Sequence, residues 1–281
     1  MSSENQISRR DLVLAAVTGP DPLPAAATAL LVSTKDRRFF TIHNPDFAAR
    51  CVLPPGSTIK PLSLLALLDA NKLAPKEEYL CPGRLRIEHY SLDCSHPRLT
   101  LPMNVSRAIS YSCNCAVAHF ARRFEPAELS AFLIRFGFSS PTGLLGGPEA
   151  AGAVGKARGA SACQLQALGE ENITVTPLEL LAAYRGLAQR ALEPLMAPIL
   201  EGLEGAVEFG TAQGARLTRV RVAGKTGTIQ TRSGFHAWFA GFAPSRAPEV
   251  AAVVLLPGRS GGADAAPIAR KLFRQYFGAR A

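Results

Sequence analysis

The amino-acid sequence predicts an α+β fold: one antiparallel sheet, built from strands near both ends of the chain, packed against a helical region. Three observations carry that expectation. Apolar runs of strand length occur early, at residues 29–33 (ALLVS), and late, at residues 250–256. Between them lie long apolar segments of helical character, bounded by Pro, Gly or Asn. The 281 residues are 47% hydrophobic and 19% charged, which excludes disordered and collagen-like chains and is long enough to bury a sizeable core.

Each element follows from its local pattern. Residues 29–33 read as a buried strand; the polar turn Lys35-Asp36-Arg37-Arg38 reverses the chain, and residues 39–43 return as its hairpin partner. Pro54-Pro55-Gly56 breaks the chain. Leu62, Leu64, Leu65, Leu67 and Leu68 then predict a mostly buried helix running toward Asn71. Pro75, Pro82, Gly83, Pro97 and Pro102 mark residues 72–101 as loop with short strands. Residues 104–124 read as one helix with Asn104 as its N-cap. Pro126 opens a helix over residues 127–136 that Gly137 stops. Thr176 and Pro177 are an N-cap and first-turn pair for a helix over residues 178–189. Residues 219–229, 235–243 and 250–256 read as three strands, separated by Gly234 and by Pro244-Ser245-Arg246, and a helix over residues 265–277 closes the chain. Strands at both ends bring the termini together. Residues 1–28 are set apart as a tail or export signal, leaving residues 29–281 as one domain.

The N-terminal stretch Ser8-Arg9-Arg10-Asp11 is followed by an apolar run and then by Ala25-Ala26-Ala27, the order of a twin-arginine-like export signal with a small-residue processing site. Gly19-Pro20 interrupts the apolar run, and no window reaches the roughly 18–20 apolar residues of a membrane span. The 31 basic and 22 acidic residues leave a net charge of +9, which suits an anionic partner. No basic patch interleaved with aromatics speaks for nucleic acid. The six cysteines (Cys51, Cys81, Cys94, Cys113, Cys115, Cys163) contain no C-x-x-C pair, so zinc is not the default reading. Cys81 and Cys94 could close a loop as a disulfide in an oxidising compartment, or hold a metal together with His96; Cys113 and Cys115 read as small apolar packing residues.

Three short patterns carry chemistry. In Ser57-Thr58-Ile59-Lys60 the hydroxyl and the amine sit three residues apart on one helix face, directly after a break. A serine hydroxyl is a weak nucleophile that needs a base within reach, and a helix N-terminus adds amide donors for a developing oxyanion. Tyr111-Ser112-Cys113-Asn114 places Ser112 and Asn114 together only at a helix start or kink. In Gly224-Lys225-Thr226-Gly227-Thr228 a strand turns Lys225 and Gly227 to one face and Thr226 and Thr228 to the other, with glycines where a ligand can approach the backbone. The spacing is not that of a phosphate-binding loop, since position 219 is Arg. Each pattern alone is weak evidence. Their order along one chain, Ser-x-x-Lys, Ser-x-Asn, Lys-Thr-Gly, is the signature of serine acyltransferases that react with penicillin.

The chain resembles the transpeptidase domain of penicillin-binding proteins. Residues 108–120 (AISYSCNCAVAHF) resemble the family's second-motif helix, Phe136-Gly137-Phe138 with Thr142-Gly143-Leu144 the turn after it, and residues 173–184 (ITVTPLELLAAY) the helix beyond. The resemblance covers about residues 29–278. It implies a β-lactamase/transpeptidase-like fold and a peptidoglycan D,D-transpeptidase or D,D-carboxypeptidase that works through a serine acyl-enzyme. It implies Ser57 as nucleophile, Lys60 as its base, Ser112 as proton shuttle and Asn114 as a group that holds Lys60 and the substrate amide. Lys225, Thr226, Gly227 and Thr228 would bind the substrate carboxylate, and the Ser57 and Thr228 amides would form the oxyanion hole. It implies no cofactor and no metal, the peptidoglycan stem peptide as substrate, β-lactams as inhibitors, and other wall-synthesis proteins as partners. A wall substrate places the protein in the periplasm or otherwise outside the cytoplasm. As it stands the chain reads as a nearly bare catalytic domain. Two alternatives accompany this reading. A serine β-lactamase would need a deacylating glutamate, and Glu170 and Glu171 lack the E-x-x-x-N spacing to Asn172 and read as solvent-facing. The other is a non-catalytic penicillin-binding sensor or scaffold.

Overall fold

The computed structural model describes residues 22–97 and 101–278. Its centre is a five-stranded antiparallel sheet in the order β2-β1-β9-β8-β7: β1 (Thr28–Ser33), β2 (Phe39–His43), β7 (Ala223–Thr231), β8 (Gly234–Ala243) and β9 (Val250–Pro257). β1 pairs directly with β9, so the N-terminal hairpin completes a sheet begun by the last three strands. The helix α9 (Ala266–Gly278) packs beside that hairpin, with the Phe40 and Tyr276 rings 4.6 Å apart.

Both faces of the sheet are covered, which explains strands that are apolar throughout instead of alternating. Trp238, Ala240 and Phe242 of β8 and Ala251, Val253 and Leu255 of β9 enter the larger core, with the central helices. Their neighbours Ala237, Phe239 and Ala243, and Val250, Ala252 and Val254, enter a second core with Leu272 and Phe273 of α9. The helical region comprises α1 (Pro45–Arg50), α2 (Lys60–Asp69), α3 (Val105–Ser110), α4 (Asn114–Ala121), α5 (Glu128–Arg135), α6 (Ala160–Leu168), α7 (Pro177–Gln189) and α8 (Ala197–Glu208). Among the described residues of 72–101 the strands are the two-residue β3 (Arg86–Ile87) and β4 (Tyr90–Ser91); β5 (Ala153–Val154) pairs with β6 (Ile173–Thr174).

The caps read from the sequence appear. Asn104 Oδ1 accepts from the Arg107 amide, and Thr176 forms a capping box with Glu179. Gly137, at φ 106°, ends α5. Two expectations need correction, and one segment gains a structural role. The single helix over residues 104–124 is two, because α3 ends at Ser110. There the Ser112 amide donates to Ile109 O and the Cys113 amide to Ala108 O, with Ser112 left-handed at φ 53°. This is a Schellman ending with serine where glycine is usual. The strand expected from residue 219 begins at Ala223. The small residues at 25–27 are folded: the Ala27 amide donates to Pro24 O, Asn44 Nδ2 donates to Ala25 O and Ala27 O, and Ala27 is buried. They brace the start of β1. The Arg9-Arg10 segment lies outside the described residues. No described helix is long and apolar enough to cross a membrane.

Candidate active site

Ser57 sits in a 3₁₀ turn, Gly56–Ile59, that runs straight into α2. The turn is held from several sides. The Gly56 amide donates to Gly169 O (3.2 Å), Tyr184 Oη to Thr58 O (2.8 Å), and Trp238 Nε1 to Pro54 O (3.2 Å). Gly56 takes φ 52°, a backbone state that glycine adopts without strain. A Cβ on Gly227 would lie 3.0 Å from Pro55 O and 3.1 Å from Thr58 Cγ2, so the third motif packs directly on the turn that carries Ser57. Gly224 is filled by the Phe239 ring. Both glycines serve close packing within the protein, and Gly227 also reaches the cavity wall.

Lys60 and Lys225 are both fully buried. Lys60 Nζ donates to Ser112 O (2.9 Å), to Ser112 Oγ (3.2 Å) and to Asn114 Oδ1. Lys225 Nζ donates to Ser112 Oγ (2.9 Å) and to Thr226 O (3.0 Å). The left-handed Ser112 explains this geometry: the kink turns both Ser112 and Asn114 toward Lys60, which a continuous helix would not allow. Ser112 Oγ accepts from two amines, so both of its lone pairs are occupied and its own proton is free to be donated onward. Asn114 Nδ2 donates to Leu92 O (3.0 Å), which anchors the amide from its other end.

Two amines sharing one buried oxygen resist carrying two charges. Burial pulls the Lys60 ammonium down to about 8, against the opposing pull of the Cys113, Cys94, Glu170 and Cys115 side chains. Burial, and then the charge of Lys60, hold Lys225 well below the usual lysine range. Glu170 is half-buried, its carboxyl raised by burial and lowered in turn by Lys60. Glu171 accepts from Tyr90 Oη at 2.7 Å. Neither glutamate is the open-solvent loop residue that the sequence suggested.

Over these lysines lies a cavity of about 220 Å³ lined by Ser57, Ser112, Asn114, Thr226, Gly227 and Thr228. The Ser57 side chain has no hydrogen-bond partner among the described residues. The structure therefore gathers all eight residues singled out from the sequence: six on the cavity wall and two lysines beneath it. Sequence reasoning missed the rest of the lining, Ser95, Thr211 and Ser260-Gly261-Gly262. Thr226 Oγ1 donates to Thr211 Oγ1 (3.0 Å), and the Gly261 amide donates to Thr228 Oγ1 (3.1 Å). A glycine pair shortly after the last strand, Gly261-Gly262, was the available signal. The arrangement can activate a hydroxyl, move a proton through Ser112 and receive an anionic group at the threonines.

The family model described as penicillin binding protein transpeptidase domain matches residues 13–274. A peptidoglycan D,D-transpeptidase PbpA from Mycolicibacterium smegmatis is 26% identical over 264 residues, covering 77% of this chain and 53% of the relative. A peptidoglycan D,D-transpeptidase MrdA from Acinetobacter baumannii is 25% identical, covering 82% and 43%. The chain thus spans about half the length of these curated relatives. Among solved structures, PBP2 of Pseudomonas aeruginosa in complex with WCK 5153 superposes with a TM-score of 0.78 at 21% identity, covering 89% of this chain and 70% of that one. The transpeptidase domain of Burkholderia pseudomallei penicillin-binding protein 3 gives 0.79 at 18% identity, covering 91% and 88%.

Proposed function

The chain belongs to the penicillin-binding protein transpeptidase family, and from that premise we propose that it is a serine acyltransferase acting on D-alanyl-D-alanine stem peptides of peptidoglycan, as a D,D-transpeptidase or D,D-carboxypeptidase. The observation that supports this reading most is the convergence of two buried amines on Ser112 Oγ, at the floor of a cavity that also contains Ser57.

In this reading Ser57 Oγ attacks the carbonyl of the penultimate D-alanine and its proton passes to neutral Lys60. The oxyanion is received by the amides of Ser57 and Thr228; losing such a donor costs about 3–4 kcal/mol in comparable enzymes. Ser112 donates its proton to the departing D-alanine amine and is resupplied from the lysine pair. Asn114 holds Lys60 while this happens. Thr226 and Thr228, backed by Lys225, take the terminal carboxylate. The acyl-enzyme then passes to an amine, giving a cross-link, or to water, giving a trimmed peptide. A β-lactam enters by the same attack and remains on Ser57. A wall substrate places the protein outside the cytoplasmic membrane, where a net charge of +9 suits an anionic wall.

The test is incubation with a labelled penicillin followed by intact mass. Long-lived label on Ser57, absent from Ser57→Ala, supports the reading. Rapid turnover of the label makes the protein a β-lactamase, and no label at all makes it a scaffold. Assays on D-Ala-D-Ala peptides with and without an amine acceptor then separate cross-linking from trimming.

A further inference from the structure

Beside the second motif, four side chains gather that the acyl-transfer reading does not use. Cys81, Cys94, His96 and Cys113 each bring one ligand atom within 4.8 Å of the others. Three of the edges are 3.7 Å (Cys81 Sγ to Cys94 Sγ), 3.6 Å (Cys81 Sγ to His96 Nε2) and 3.7 Å (Cys94 Sγ to Cys113 Sγ). A tetrahedral zinc with Zn–S near 2.3 Å and Zn–N near 2.0–2.1 Å requires edges of roughly 3.5–3.8 Å. In this structure all six cysteines are unbonded, and the sulfurs of Cys81 and Cys94, considered for a disulfide, stand 3.7 Å apart.

The surroundings are those of a ligand set. Each of the three sulfurs accepts one backbone N–H: Cys81 from Gly83 (3.3 Å), Cys94 from Cys115 (3.5 Å) and Cys113 from Ala116 (3.4 Å). Such donors stabilise thiolate charge. His96 Nδ1 lies 2.8 Å from Pro97 O, a carbonyl that can only accept, so that nitrogen carries the proton and Nε2 keeps its lone pair toward the sulfurs. Cys115 lies next to the group, 3.5 Å from Cys94 Sγ, but its own sulfur donates to Arg84 O (3.5 Å), away from the tetrahedron.

We propose that Cys81, Cys94, His96 and Cys113 form a structural zinc(II) site that ties the loop of residues 81–97 to the Ser112-Cys113-Asn114 turn. Three sulfurs and one imidazole in tetrahedral array select zinc over harder cations. Binding releases the thiol protons and replaces a crowd of unbonded sulfurs with metal–ligand bonds. Its purpose lies one residue to either side of Cys113. Ser112 holds a strained left-handed backbone that persists only where its surroundings over-determine it, and Asn114 opens α4. A ligand bond at Cys113 clamps the turn between them.

The experiment measures metal in the whole chain, purified under reducing conditions, loaded with zinc and dialysed, by mass spectrometry of the released metal. One zinc per chain is expected, lost in Cys81→Ser and Cys94→Ser and kept in Cys51→Ser and Cys163→Ser, whose cysteines lie outside the group. Cobalt(II) replacing the zinc is expected to show the sulfur-to-cobalt charge-transfer absorption, diminished in Cys81→Ser while circular dichroism stays native. Chelation is expected to speed amide hydrogen exchange in residues 81–97 and 112–118 more than elsewhere. Absence of stoichiometric metal in the wild type, or equal metal in Cys94→Ser, overturns the proposal. So does an intact mass two hydrogens light, with Cys81 bonded to Cys94, in protein isolated from the wall compartment.

Discussion

If Lys60 is the base that takes the Ser57 proton, acylation must follow the neutral fraction of Lys60. Burial brings that amine down to about 8. At pH 7 about a tenth of the molecules then carry neutral Lys60 and at pH 8 about half, against fewer than one in roughly a thousand for an ordinary lysine near 10.4 at pH 7. The groups that face it set the midpoint. Cys113, Cys94, Glu170 and Cys115 raise it, burial lowers it, and Lys225 shares its acceptor on the far side of Ser112. The second-order rate of acylation by a labelled penicillin, followed by stopped flow, is expected to climb about tenfold per unit at low pH, bend near about 8 and level off above. Glu170→Gln removes a carboxylate that favours the charged amine, so the bend should move to lower pH. A rate that is flat between about pH 6 and 9, with the wild-type fold intact, would refute Lys60 as the proton acceptor.

Other consequences can be checked directly. Lys60 has a folded value below its unfolded one, so the unfolded chain binds more protons between about 8 and 10.5 and stability rises with pH through that window. Below it the buried ammonium costs about 3 kcal/mol; urea unfolding of Lys60→Met and wild type should therefore differ by an amount that changes between pH 7 and about 9.5, and a constant gap would contradict the burial argument. Ser112→Ala deprives two amines of their common acceptor and is expected to slow acylation about 100-fold or more while Ser57 remains labelled at long times; unchanged kinetics would remove Ser112 from the proton path. Gly227→Ala drives a methyl group against Pro55 O and Thr58, and should lower stability by about 1–3 kcal/mol and acylation with it, read by thermal unfolding and penicillin labelling. Burial raises the Glu204 carboxyl, but hydrogen bonds from Arg246 and Ser245 together with the charges of Arg246 and Arg221 hold it below the usual range. Its stabilisation is present above the ordinary glutamate value and fades as pH falls through the lowered one, so Glu204→Gln should reduce stability at pH 7 and matter less in acid; equal losses at both would refute it.

The parts of the site that were legible in the sequence are those whose geometry is local. Ser57 and Lys60 share a face because they are three residues apart after a Pro-Gly break, and Lys225 and Thr226 diverge because a strand alternates. The second motif was only half legible. A helical pattern covers residues 104–124 without interruption, and nothing local to Ser112 announces a left-handed backbone. That break is imposed from outside, by Lys60 on Ser112 O and by the Thr211 amide on Ser110 O. The helix α8, which carries Thr211 beyond its end, escaped notice for a related reason. Its Gly202 and Gly205 are poor helix formers, yet a Cβ on Gly202 would press on Ile109 and one on Gly205 on Ser110 Oγ, so they are what lets α3 pack against it. The same holds around Ser57, where Gly56, Gly169 and Gly227 occupy the points at which two backbones nearly touch. The reacting groups were therefore written in three short local patterns, while their convergence was written in glycines. A glycine states only that something approaches closely, and only the folded chain says what.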